Sequence, residues 1–162
     1  MVNAGVSDDA ITIRPATVAD IPDLVWLRRA MFEAMGFGDP AQLDAADAAA
    51  AAYFAETIPT GRFHGWLAVT SANEAVGSGG AVIDHHPPGP SNLSGRIGYV
   101  MNLVTVPRYR RRGIARRVMR VMLKWLAEQD IQRVVLHATE TGRSLYEELG
   151  FVDSNEMRLR LE

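Results

Sequence analysis

Val104-Thr105-Val106-Pro107-Arg108-Tyr109-Arg110-Arg111-Arg112-Gly113-Ile114-Ala115 is the stretch on which the fold turns. A β-branched run stops at Pro107, which cannot donate to a strand ladder. From Ile114 onward apolar residues recur at 114, 118, 121, 122, 125 and 126, the spacing of one helix face. A strand over residues 96–106 therefore hands over to a helix over residues 114–129 through a turn rich in arginine. The first N–H groups of a helix lack partners within it, and the helix dipole places partial positive charge at that end. Gly113 lets an anion approach without a Cβ in the way, Ala115 keeps the next turn small, and the arginines add charge. An anion, a phosphate above all, belongs at this turn.

The rest of the chain supplies a sheet around that unit. Residues 10–14 alternate Ile, Thr, Ile before Pro15 and read as a first strand. Thr17 with Asp20 has the spacing of a capping box, and a helix carries Leu24, Leu27, Met31 and Met35 as far as Gly36. Asp39-Pro40 caps a second, alanine-rich helix reaching Ile58. Residues 63–69 and 74–84 form an antiparallel hairpin, while 85–95, with three prolines, is a surface loop and the segment most open to movement. A strand over 132–137, a short helix over 142–149 and a closing strand region over 151–161 complete the order. Residues 96–137 make one strand–helix–strand crossover, and the whole reads as a single α/β domain over 1–162 with a mixed sheet, residues 1–9 being a disordered N-terminal extension.

Composition limits what such a domain does. The chain has 162 residues, 48% hydrophobic and 22% charged, which is ordinary globular usage. It has no cysteine, so disulfides, zinc–cysteine sites and a cysteine nucleophile are excluded, and a reducing, cytoplasmic setting fits. No apolar run is long enough for a membrane span. Net charge is only −2, yet seven arginines fall between Arg108 and Arg120 with no acid among them. Such a cluster alone describes a solvated helix end or a nucleic-acid patch as well as a phosphate site; the Gly-x-Ala step at a strand-to-helix turn favours the last. His85-His86 lacks a third ligand at convincing spacing, so no metal is expected. Gly77-Ser78-Gly79-Gly80 lacks the Lys-Ser/Thr of a nucleotide loop and reads as close packing inside a strand.

The turn resembles motif A of the GCN5-related N-acetyltransferases, Arg/Gln-x-x-Gly-x-Gly/Ala after a strand ending in Val-x-Pro, and Leu145-Tyr146-Glu147-Glu148-Leu149-Gly150-Phe151 resembles their motif B at the family's separation. The resemblance covers residues 11–161. It implies a mixed central sheet with a splayed parallel strand pair and helices on both faces, with acetyl-CoA entering the splay like a missing strand. It implies that the backbone of Val104, Thr105 and Val106 holds the pantetheine and thioester, and that Arg111, Arg112, Gly113, Ile114, Ala115 and Arg116 wrap the pyrophosphate. Attack by an amine then makes an oxyanion that a fixed N–H stabilises. Tyr146 would protonate the departing thiolate.

The base that deprotonates the amine is less defined. Glu33 ranks first among Glu33, Asp84, His85 and His86, and Tyr99 and Asn102 on the cleft strand are acceptor contacts. Two positions depart from the family pattern: Thr139 stands where an Asn is frequent, and Gly142 where Ala is. Thr139 retains a hydroxyl for the pantetheine arm. Without cysteine no acyl-cysteine can form, so direct transfer in a ternary complex is expected. The acceptor is a small-molecule or peptide amine, with no nucleic-acid or membrane partner, and a homodimer is compatible with the resemblance. A different reading keeps the fold and drops the chemistry: a silent acyl-CoA-binding module, or a nucleic-acid-binding one using the arginines.

Overall fold

The computed structural model describes residues 10–162; the expectation for residues 1–9 lies outside the described residues. The elements are β1 (Thr12–Pro15), α1 (Ile21–Ala34), α2 (Pro40–Thr57), β2 (His64–Val69), β3 (Ala75–His85), β4 (Arg96–Thr105), α3 (Ile114–Glu128), β5 (Val134–Leu136) and α4 (Arg143–Glu148). The five strands lie in one sheet in sequence order. Neighbours are antiparallel from β1 to β4, and only β4 and β5 run parallel, joined by the α3 crossover. The mixed sheet read from the sequence is therefore present.

The local signals act as expected. Asp39 caps α2 by accepting from the Ala41 amide at 3.0 Å, with Pro40 at the first helical position. Asp20 is buried and accepts from the Thr17 amide at 2.8 Å and from Arg14 at 2.8 and 2.9 Å, tying β1 to the start of α1. Its carboxyl is held down at about 2, first by the Arg14 hydrogen bonds.

The glycines of β3 let helices close on both sheet faces. A Cβ on Gly79 would sit 2.7 Å from Met122 Cε and 2.8 Å from Val118 Cγ1, both on α3. One on Gly80, facing the other way, would strike the Phe63 ring, which packs on Phe54 of α2 at 4.9 Å between centroids. The core divides accordingly: Val118, Met119, Met122 and Leu126 on one side, Leu24, Leu27, Phe54 and Phe63 on the other.

Two expectations are corrected. Residues 151–161 form no strand; they have no ladder partner, and an extended segment without one has nowhere to place its N–H and C=O groups except water. The 85–95 loop is tied down rather than free: Asn92 is buried, its side-chain amide donates to the Arg96 carbonyl at 2.9 Å, and its backbone exchanges hydrogen bonds with Gly89 at 3.0 and 3.1 Å.

Candidate active site

The parallel pairing of β4 and β5 is three rungs long: Gly98–Val134, Tyr99–Val135 and Val100–Leu136. Beyond Val100, β4 continues to Thr105 with β3 on one side and no strand on the other. Ser78 opposes Val104 while Gly80 opposes Met101, so β4 carries one residue more than its partner. The extra residue is accommodated at Asn102, whose φ of 56° is left-handed. Its carbonyl accepts from the Ser78 hydroxyl at 3.3 Å. A bulge bends and twists a strand, and here it turns β4 away from β5, opening a wedge whose wall is the β4 edge of residues 101–105, paired to β3 on one side and with no strand on the other.

The wedge leads into the arginine turn. Arg111 (φ 61°) and Gly113 (φ 73°) both take left-handed conformations, and a Cβ on Gly113 would meet nothing within 4 Å. The space over the turn is open. The first amide of α3 with an intrahelical partner is that of Arg117, which donates to Gly113 at 3.1 Å, so the amides of Ile114, Ala115 and Arg116 face outward unpaired. Thr105 Oγ1 at the end of the cleft strand is buried and has no hydrogen-bond partner. Arg108 pairs with Glu74, Arg116 with Glu148, and Arg110 donates to the Thr105 carbonyl at 3.1 Å. Arg111 and Arg112 have no acidic partner among the described residues; Arg112 lies 5.0 Å over the Tyr109 ring. The turn thus offers open volume, unpaired amides and two uncommitted guanidinium groups, which is what a diphosphate requires.

Tyr146 on α4 is half-buried, and burial pushes its phenol above the ordinary tyrosine value. Its ring sits edge-on to Phe151 at 6.0 Å and against Gly142, where a Cβ would come 2.9 Å from Cε2. The glycine that departs from the family pattern is thus the residue that admits this ring. Thr139 Oγ1 accepts from the Gly142 amide at 3.2 Å and lies 3.3 Å from the Thr141 hydroxyl, so the Thr side chain that replaces the usual Asn also shapes the turn into α4.

The residues expected on the acceptor side separate into two groups. Tyr99 occupies the middle rung of the parallel pair, and Asn102 is the bulge itself. The Tyr99 ring lies edge-on to His137 at 5.7 Å, and burial raises its phenol. His137, immediately after the last rung, was not singled out by sequence; only the observed end of the ladder reveals its place. Glu33 is exposed at the end of α1 and hydrogen-bonds to Arg29 at 3.3 Å, which also grips Asp44 and Asp47 of α2 at 2.8 and 2.6 Å. Asp84 and His85 oppose Ile97 and Arg96, at the end of β4 away from the bulge, and His86 follows them. No group of three metal-ligating side chains occurs among the described residues, and no helix among them is long and apolar enough to cross a membrane.

Comparison with known proteins agrees with this geometry. A comparison with curated proteins returns no match. Residues 23–151 match the acetyltransferase (GNAT) family. Among solved structures, a predicted acetyltransferase from Clostridium acetobutylicum with acetyl-CoA is 27% identical, with a TM-score of 0.85 over 94% of this chain and 96% of that one. A GCN5-related N-acetyltransferase from Ralstonia eutropha JMP134 is 29% identical, also at 0.85, over 94% and 99%. An aminoglycoside N-acetyltransferase in complex with CoA, 16% identical over 97% of each chain with a TM-score of 0.76, shares the fold. With the family match spanning most of its length, and with the bulged strand and glycine turn in place, this chain belongs to the acetyltransferase (GNAT) family.

Proposed function

We propose that this protein transfers the acetyl group of acetyl-CoA to a primary amine by direct attack in a ternary complex. The observation that carries the reading is the end of the β4–β5 ladder at Val100–Leu136, followed by a β4 edge with no strand beside it that runs toward the open Gly113 turn. That wedge suits an extended, hydrogen-bonding chain ending in a diphosphate. The backbone of Val104 and Thr105 binds the pantetheine arm, with the free Thr105 hydroxyl beside it, whereas Val106 closes the wall, its amide donating to Val76 at 2.9 Å and its carbonyl accepting from the Tyr109 amide at 3.0 Å. The amides of Ile114, Ala115 and Arg116, with the guanidinium groups of Arg111 and Arg112, receive the pyrophosphate.

Acetyl-CoA supplies the thioester, and the chain supplies position and proton traffic. A backbone N–H on bulged β4 offers a fixed donor for the oxyanion, where mobile water would have to reorganise. Tyr146 keeps its proton because burial raises its phenol, and it donates that proton to the departing thiolate. Tyr99 and Asn102 border the amine. An alkylamine with a pKa near 10.4 must lose a proton before it attacks, and Glu33 is the carboxylate retained for that role. Its pairing with Arg29 makes it a candidate that the pH profile decides.

The test is thiol release. Purified protein and acetyl-CoA, challenged with pooled primary amines, are expected to liberate CoA thiol with at least one pool at a rate set by enzyme concentration. Saturable acetyl-CoA binding with no thiol release from any pool would reduce the protein to a binding module.

A further inference from the structure

Gly77-Ser78-Gly79-Gly80 in β3 holds one side chain among three glycines. The glycines answer to packing: a Cβ on Gly77 would come 2.9 Å from the Val104 carbonyl and 3.3 Å from Ile114 of α3, while Gly79 and Gly80 lie against α3 and the Phe63 ring. Ser78 is only 3% exposed, and burying a hydroxyl is unfavourable unless it finds a partner. Its partner is the Asn102 carbonyl, to which it donates at 3.3 Å. An alanine would fill the same place in the strand without that cost, so the bond to the bulge is what the hydroxyl adds.

That bond meets the bulge where the ladder does not hold it. Ser78 opposes Val104 and Gly80 opposes Met101, so Asn102 and Leu103 have no rung of their own against β3. Asn102 is also left-handed, a conformation that residues with a Cβ adopt reluctantly and asparagine among the more readily. A peptide unit without a rung to fix it can turn about its flanking φ and ψ. The Asn102 carbonyl and the Leu103 N–H belong to one trans peptide, and in a planar trans peptide these two groups point in opposite directions. With the carbonyl drawn to Ser78 on β3, the Leu103 N–H points to the other side of β4, where the β5 ladder has already ended at Leu136.

We propose that Ser78 is a positioning residue for acetyl transfer: by holding the Asn102 carbonyl it aims the Leu103 N–H into the wedge, at the oxygen of the bound thioester. This role rests on the transfer reading above, and it names the donor that the reading left open on β4. As the amine nitrogen attacks and sheds its proton to the base, the C–N bond forms and the carbonyl π pair moves onto oxygen. The oxyanion then returns that pair as the C–S bond breaks, and sulfur leaves as a thiolate that takes its proton from Tyr146. The Leu103 N–H faces the oxygen throughout, and a donor fixed beforehand stabilises its charge more than one that must turn into place. Ser78 stands behind β4 and exchanges no proton; it acts through one peptide plane.

Ser78→Ala in the full chain removes the hydroxyl and little else. Its kcat, read as CoA thiol release, is expected to fall about tenfold or more, while acetyl-CoA affinity and the melting temperature hardly move. Ser78→Thr, which keeps a hydroxyl, is expected to recover most of that loss. Infrared difference spectra of acetyl-CoA isotope-labelled at the thioester carbonyl give the signature. Bound to the wild-type protein, the C=O stretch is expected at lower frequency than in solution; bound to Ser78→Ala, it is expected to return toward the free value. A kcat equal to wild type, an unchanged carbonyl frequency, or a loss of kcat that only tracks a fall in melting temperature overturns the proposal. A wild-type protein that binds acetyl-CoA and releases no thiol with any amine defeats the transfer reading instead, and the carbonyl frequency, which needs only bound acetyl-CoA, still decides whether Ser78 aims the donor.

Discussion

Val100 and Leu136 form the last rung of the β4–β5 ladder, and two residues past that rung Asn102 turns left-handed at φ 56°. The order matters. Parallel strands stay together as long as their hydrogen bonds repeat, and an extra residue breaks the repeat and adds twist. Placing the bulge just beyond the last rung leaves β4 supported by β3 while its other edge opens without a strand beside it. The same edge ends at Pro107, so the strand cannot run on into the arginine turn.

Gly113→Glu is expected to weaken acetyl-CoA binding at least about tenfold, measured by calorimetry. The new carboxylate would occupy the open volume over the turn, where the proposed function puts the pyrophosphate, and would repel it. A side chain at φ 73° also strains the backbone, by about 1 kcal/mol, so the melting temperature falls slightly while the fold persists. Unchanged affinity would move the diphosphate elsewhere.

Tyr146→Phe is expected to lower kcat about 100-fold and leave acetyl-CoA affinity nearly unchanged. The ring contacts with Gly142 and Phe151 survive the change, and only the hydroxyl that the proposed function uses as proton donor is lost. The phenol is raised, so the protonated form persists to higher pH than for a free tyrosine, and the alkaline decline of kcat belongs above the ordinary value near 10. A kcat equal to wild type would leave the ring a purely orienting part.

The strand-to-helix turn at residues 107–113 was legible because its signals are local: a proline, a glycine and a helix period suffice to locate it. The capping residues Thr17, Asp20 and Asp39 were legible for the same reason. The β4 bulge was not, since Tyr99-Val100-Met101-Asn102 alternates like any strand and only the register against Ser78 and Gly80 exposes the extra residue. The place of His137 beside the end of the ladder was not visible, because it depends on where pairing stops. The C-terminal run shows the converse: residues 151–161 read as a closing strand, but a pattern becomes a strand only beside a partner, and none is engaged among the described residues.

Glu33→Gln separates two roles for one carboxylate. Its hydrogen bond to Arg29 is exposed, and surface pairs of this kind contribute about 0–1 kcal/mol, so thermal stability is expected to change little. If the carboxylate serves as base, the acidic limb of the kcat/KM profile disappears with it. A retained limb would confine Glu33 to its pairing with Arg29 at the α1–α2 junction.

Asp20→Asn tests the knot that fixes the start of α1. In the folded state the Asp20 carboxyl is held at about 2, below its ordinary 3.8, first by Arg14 and then by the Thr17 amide. A carboxyl with a lowered folded value binds its proton more readily in the unfolded chain. Its contribution, on the order of 2 kcal/mol, is therefore full above about pH 4 and is lost as the pH falls through the folded value. At neutral pH the Asn variant is expected to melt several degrees lower, because Arg14 loses its charged acceptor. Below pH 2 both proteins carry a neutral group at this position, so their melting temperatures should converge. Parallel curves across the whole pH range would mean that Asp20 stabilises by shape alone, and that the Arg14 pair adds nothing through charge.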